Sequence, residues 1–291
     1  MRFIKKPVSV LLLLILILTL SGCNRVEVGK NDDRRIIAVS IVPQKTFVEA
    51  VCGELADVVV MIPPGRSPEN YEPTPLEMER FTKAEIYFTI GVPAENADIL
   101  DSAMEQKDMK VVHTREEISR VFDELEFGTG EGDPHIWLSP KRMIMMVEII
   151  AREMSALDPA NRDIYERNAD GYIDKLKELD EDIEDIVKDL KNRNFIVFHP
   201  AFGYLADDYG LTMHSLEEEG KEATPGRLME LIDYAKEEGI RVIFYQAEIS
   251  GNQARAFARE IDGEMILLDP LSPDYIENLR KMAEAIAGTM K

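Results

Sequence analysis

Histidine is scarce in this chain, with four imidazoles in 291 residues, and cysteine is scarcer, with two thiols, Cys23 and Cys52. So few thiols exclude a disulfide framework, and Cys52 in "EAVCGEL" reads as a small buried apolar side chain. Positive charge is also in deficit, with 34 Lys and Arg against 55 Asp and Glu, a net of −21. That balance argues against nucleic acid, whose phosphates would be repelled, and is compatible with attracting small cations. The chain has no Walker A loop, no HExxH and no GxSxG, so it announces neither nucleotide hydrolysis nor a hydrolase centre. A single tryptophan, Trp137, offers little to stack a large aromatic ligand.

One long apolar run is present. Val8 to Leu20 follows Arg2, Lys5 and Lys6; it is too short to span a bilayer but suits a secretory h-region, so residues 1–22 read as an export signal. The run ends in Leu20-Ser21-Gly22-Cys23, which resembles the lipobox of prokaryotic lipoproteins. The expectation is cleavage before Cys23, lipidation of that thiol, and anchoring to the outer face of the cytoplasmic membrane or cell envelope. A plain signal peptide, or an uncleaved anchor, beside an incidental cysteine is the alternative. Loss of residues 1–22 moves the net charge from −21 to −24. Residues 23–35 are polar and aperiodic, as expected of a tether.

Beyond the tether, short apolar runs at 36–42, 57–62, 86–91 and 110–114 read as buried strands separated by helix-period segments, and the same rhythm returns at 195–198, 211–216, 241–246 and 265–268. The expected fold class is α/β, with two similar lobes built on parallel four-stranded sheets: an N-terminal lobe over 36–138, a helical connection over 139–193 and a C-terminal lobe over 194–291. Thr74-Pro75, Ser139-Pro140, Thr224-Pro225 and Ser272-Pro273 each pair a hydroxyl N-cap with proline at the first helical position. Residues 159–192 read as one long helix, because Tyr165, Ala169, Tyr172, Leu176, Leu179, Ile183, Ile186 and Leu190 step by three and four. A rigid spine packed along both lobes is preferred to a coiled-coil hairpin or dimer seam, and the chain is expected to be a monomer.

Ligands of open α/β sheets bind beyond the carboxyl ends of strands, which directs attention to residues just after the apolar runs. His199 follows "FIVF" and precedes Pro200; Asp269 follows "MILL" and precedes Pro270. Proline restricts the residue before it to extended geometry, so both polar groups are held at strand exits. His135 follows Pro134 after an acidic, glycine-rich stretch, and Glu69 lies in "PPGRSPENYEPTP". Two imidazoles and two carboxylates suit a divalent transition metal, but spacing alone does not establish a shared site. His113 and His214 sit within expected strands and are not taken as ligands. Glu217, Glu218 and Glu219 read as a solvent-facing charge run.

The segments "SPENYEPTPLEM", "DPHIWLSP", "FHPAFGYLADDYGL" and "LLDPL" resemble, in order and relative position, the hallmark segments of the zinc and manganese solute-binding proteins that serve ABC importers. The resemblance covers nearly the whole mature chain. It implies a long helix joining two α/β lobes, with Zn2+, or Mn2+ or Fe2+, held in the cleft as transported ligand by Glu69, His135, His199 and Asp269. It also implies an ABC permease and a separate ATPase subunit as partners, and no catalytic cofactor. The chain departs from the family pattern at Glu69, where a histidine is usual, at Pro200, where an aspartate is usual, and at Gln246, where a glutamate is common. The stretch "FDELEFGTGEGD" lacks the histidines that zinc members often place before the second motif.

The leading expectation is therefore an extracytoplasmic receptor for a divalent metal, not an enzyme. A receptor for a metal chelate such as a corrinoid or siderophore, and a metallohydrolase with water at an open position, stay open as alternatives.

Overall fold

The β-branched and aromatic runs form eight parallel strands in two four-stranded sheets. The computed structural model describes residues 34–95, 98–127, 130, 132–217, 223–248 and 252–290. The export signal, Cys23 and most of the tether lie outside the described residues, among which no helix is long and apolar enough to cross a membrane. β1 (Arg35–Val39), β2 (Ala56–Val60), β3 (Ile86–Thr89) and β4 (Lys110–His113) lie in the order β2-β1-β3-β4. β5 (Asn194–Val197), β6 (Thr212–Ser215), β7 (Val242–Tyr245) and β8 (Glu264–Leu267) repeat that plan as β6-β5-β7-β8. Ile37 is in register with Val58 and Ile86, and Ile196 with His214 and Ile243. Strand order reverses at β1/β3 and at β5/β7, which opens a crevice beyond the carboxyl ends of those strands.

Period-two alternation divides each sheet between two cores. Ile37, Val39, Ile86 and Phe88 of the first sheet join Phe195, Val197, Val242 and Phe244 of the second in one continuous cluster. Ala38 and Tyr87 face an outer cluster of the first lobe, and Ile196 and Ile243 an outer cluster of the second. The two lobes thus share their largest core. With about 1.5–3 kcal/mol for each large apolar side chain fully buried, a shared core of this size resists wide hinging.

The helices are α1 (Val42–Cys52), α2 (Pro75–Phe81), α3 (Asp98–Glu105), α4 (Thr114–Ile118), α5 (Pro140–Leu157), α6 (Arg162–Val187), α7 (Gly203–Asp208), α8 (Pro225–Glu238), α9 (Asn252–Glu260) and α10 (Tyr275–Gly288). Thr74, Ser139 and Thr224 cap α2, α5 and α8, each hydroxyl accepting from the backbone three residues on. At the fourth expected start, Ser272 instead accepts from Asp274 N–H, and α10 begins at Tyr275. Pro273 lies outside the helix, and its carbonyl accepts from Thr46 Oγ1 of the first lobe.

The spine is α6, 26 residues and about 39 Å long at 1.5 Å per residue. It is shorter than the expected 159–192, since Pro159–Asn161 form a separate 3₁₀ turn and the guanidinium of Arg193 takes up the carbonyls of Val187 and Lys188 at its end. Its buried stripe is Tyr165, Ala169, Ile173, Leu176, Leu179, Ile183 and Val187, so Ile173 and Val187 take the places expected of Tyr172 and Ile186. It packs on α1, α5 and α10 and so touches both lobes. Further ties cross between lobes. Buried Arg142 of α5 donates to Asp208 of α7 at 2.8 Å, and its guanidinium lies 4.4 Å from the Tyr204 ring. Trp137 Nε1 donates to the Pro270 carbonyl, and Tyr275 Oη to the Trp137 carbonyl.

Candidate metal centre

His199 leaves β5 at the point where the order of the second sheet reverses, and its imidazole is buried, 6% exposed. His135 lies in the connection between α4 and α5, held by Asp133, whose Oδ1 accepts both the His135 amide at 2.8 Å and its Nδ1 at 2.7 Å. Glu69 sits between β2 and α2. Its amide donates to Ser67 Oγ, the Pro68 carbonyl accepts from Ala94 N–H, and the capping box of Thr74 and Glu77 fixes the following turn, with Tyr71 Oη also donating to Glu77.

These three side chains converge. His135 Nε2 and His199 Nε2 are 3.2 Å apart, and Glu69 Oε1 lies 3.8 and 3.7 Å from them. Bonds of about 2.0–2.2 Å at the tetrahedral angle place donor atoms about 3.4 Å from one another, so the triangle matches one face of a zinc shell. The hydrogen bonds decide the tautomers. His135 Nδ1 donates to Asp133 and His199 Nδ1 donates to Glu217 Oε2 at 2.6 Å, so each imidazole in its neutral form turns the Nε2 lone pair toward the other. Two imidazole lone pairs and a carboxylate oxygen facing one another repel unless a cation lies between them. The cavity they line is about 10 Å³, room for a single water-sized particle. Trp137, Pro270 and Leu271 supply its apolar wall, and Gln246 and Glu248 complete the lining.

Asp269 does not join the cluster. It is exposed, its Oδ1 accepts from Leu271 N–H at 3.1 Å and its carbonyl accepts from Asn278, so the side chain closes its own turn. Glu217 corrects the expectation of a solvent-facing run. It is 8% exposed and orients His199, while Glu218 and Glu219 lie outside the described residues. The signal that could have found it is the one used for His199, a polar residue at a strand exit, here just past β6. Asp133 opens the segment "DPHIWLSP", and its hold on His135 is visible only in the fold. A Cβ on Gly203 would stand 2.6 Å from Asp133 Oδ2, so the glycine of "FHPAFGYLADDYGL" gives that carboxylate its space. His113 lies against Thr89 at the end of β4, and His214 bonds Asn194 and packs on Tyr234, with burial lowering its pKa. Neither approaches the centre. Burial, with Asp269 adding to it, pushes the Glu248 carboxyl up.

Residues 37–289 match the family model described as ZnuA, zinc-uptake complex component A, periplasmic. The zinc-binding lipoprotein AdcA of Streptococcus pneumoniae (strain ATCC BAA-255 / R6) is 31% identical over 98% of this chain; the alignment spans 61% of AdcA, which is the longer protein. A crystal structure of ZnuA superposes with a TM-score of 0.84 at 36% identity, covering 89% of this chain and 100% of that one. A zinc-bound ZnuA carrying a deletion of 138–173 in its own chain gives 0.83 at 36% identity, over 89% and 99%.

Proposed function

We propose, from the premise that this chain belongs to the ZnuA family of zinc-uptake components, that it captures a divalent transition metal, zinc foremost, between its lobes and delivers it to a membrane permease driven by a separate ATPase subunit. Glu69, His135 and His199 are its donors. The observation that carries this reading is the convergence of three potential donor atoms within 4.8 Å of one another, each imidazole tied through Nδ1 to a buried carboxylate. Manganese or iron can occupy the same centre, since a carboxylate replaces one imidazole of the usual set.

The cavity volume weighs against both alternatives. Pockets for organic ligands run to about 300–1,000 Å³, whereas this one, at about 10 Å³, admits an ion and neither a corrinoid nor a hydrolysable substrate. No catalytic role is assigned to any residue. The ion is cargo, and the supporting carboxylates hold the imidazoles so that little reorganisation accompanies capture. Lipid on Cys23 would keep the monomer at the outer membrane face, where its permease is. Metabolic labelling with a fatty acid, lost in Cys23→Ala, tests that anchor.

The direct test is zinc affinity by competition with a chromophoric chelator. His199→Ala is expected to weaken binding by orders of magnitude with the far-ultraviolet circular dichroism unchanged. Wild-type affinity in that variant would remove the centre.

A further inference from the structure

We infer that Glu248, on the turn after β7, is the carboxylate that the second lobe contributes to the metal, completing a shell of two imidazoles and two carboxylates with Glu69, His135 and His199. The inference rests on the metal-capture reading above and assigns the fourth position to Glu248 in place of Asp269.

Placement is the first ground. Glu248 and Gln246 line the same small cavity as the three donors, and Asp269 does not. Asp269 already accepts from Leu271 N–H, whereas Glu248 Oε2 and Gln246 Nε2 are both shielded from water with no hydrogen-bond partner among the described residues. Gln246 is only 7% exposed. An acceptor and a donor left unmatched at one cavity are unfavourable unless the occupant satisfies them. A cation takes the carboxylate lone pair, and the Gln246 amide can then donate to the carboxylate oxygen that the ion leaves free.

The first lobe supplies a control. Glu95 lies six residues past β3, where Glu248 lies three past β7; it is buried, and its carboxylate accepts from Ser40 Oγ, from Ile90 N–H and from Gly91 N–H. A buried carboxylate with a structural role is saturated by the protein; Glu248 Oε2 has no partner among the described residues.

Strand order is the second ground. β7 neighbours β5, the strand that delivers His199, so its exit brings Glu248 to the same crevice. Glu248 stands outside the cluster whose members lie within 4.8 Å, so its side chain must rotate inward as the ion enters. Two nitrogens and two oxygens fit tetrahedral zinc and are a harder set than three imidazoles and one carboxylate, which suits manganese and ferrous iron better.

The test uses the exported chain and the metal alone as probe, in Zn2+ competition and in the visible spectrum of Co2+ as a zinc substitute, for wild type, Glu248→Gln, Asp269→Asn and His199→Ala. Glu248→Gln keeps shape and removes charge; zinc affinity is expected to fall about tenfold or more, at least the effect of losing an outer-shell partner, with Asp269→Asn within about threefold of wild type. Wild-type affinity in Glu248→Gln overturns the inference, whatever Asp269→Asn does. Wild-type affinity in His199→Ala overturns instead the reading beneath it. Should Glu248→Gln not fold, Glu248→Asp decides: withdrawing a ligand by one methylene must change the Co2+ spectrum, and an unaltered spectrum overturns the assignment.

Discussion

The two lobes share one strand order, yet the same strand exits do different work in each. After β1, Ser40 bonds the buried Glu95 and the chain enters α1; after β5, Phe198 stands where Ser40 does and the next residue is His199, a proposed metal donor. The exchange reverses at the next strand. The connection after β2 presents Glu69 to the cavity, whereas the residue after β6, Glu217, stands behind His199. After the third strand of each lobe comes a carboxylate, saturated at Glu95, whereas Glu248 Oε2 meets no partner among the described residues. A repeated fold therefore supplies equivalent positions rather than equivalent roles. What separates structural from ligating carboxylates is whether the protein already fills their lone pairs.

If the comparison holds, the two supporting carboxylates should be interchangeable in effect. Asp133→Asn in the first lobe and Glu217→Gln in the second are each expected to weaken zinc binding about 10–100-fold, because each frees an imidazole to turn or to change tautomer. Chelator competition would measure this, and a loss confined to one lobe would break the symmetry. A smaller effect separates Glu95 from Glu248. Glu95→Ala strands the backbone amides of Ile90 and Gly91 and should cost about 1–3 kcal/mol, a fall in melting temperature of several degrees without added metal. Glu248→Ala removes an unmatched group and should leave that temperature unchanged or raised, as calorimetry of the metal-free protein can determine.

The smallest effect concerns acid. Burial would raise Glu153 on α5, but bonds from Lys110 and Arg152 hold its carboxyl below the usual range. A carboxyl whose pKa is depressed on folding stabilises the protein above its unfolded value, about 4.3, and that contribution is lost as pH falls through the lower folded value. Glu153→Gln should therefore flatten stability against pH below about 4.3, and an unchanged slope in acid denaturation would place the sensitivity elsewhere.

Much of the framework was legible along the chain. Eight apolar runs, three hydroxyl-proline helix starts and an apolar stripe on a charged helix are local signals, and all recur in the fold. Ser272-Pro273 does not start its helix, which begins at Tyr275, and the Pro273 carbonyl meets Thr46, 227 residues away, a contact no local signal shows. Glu217 misled because a run of three glutamates looks solvated until the first is seen to follow a strand directly into the crevice. Asp269 has the expected motif position, but its side chain stands outside the cluster of three donors and its Oδ1 accepts from Leu271 N–H.

By itself, the order of residues determined the α/β plan, the spine and the pair of buried histidines, since periodicity, capping and proline-restricted strand exits act over a few positions. Only the folded chain decided which acids face those histidines. That depends on bringing residues 69, 135, 199, 217 and 248 to one crevice, and on whether each lone pair there meets an N–H or is left for an ion.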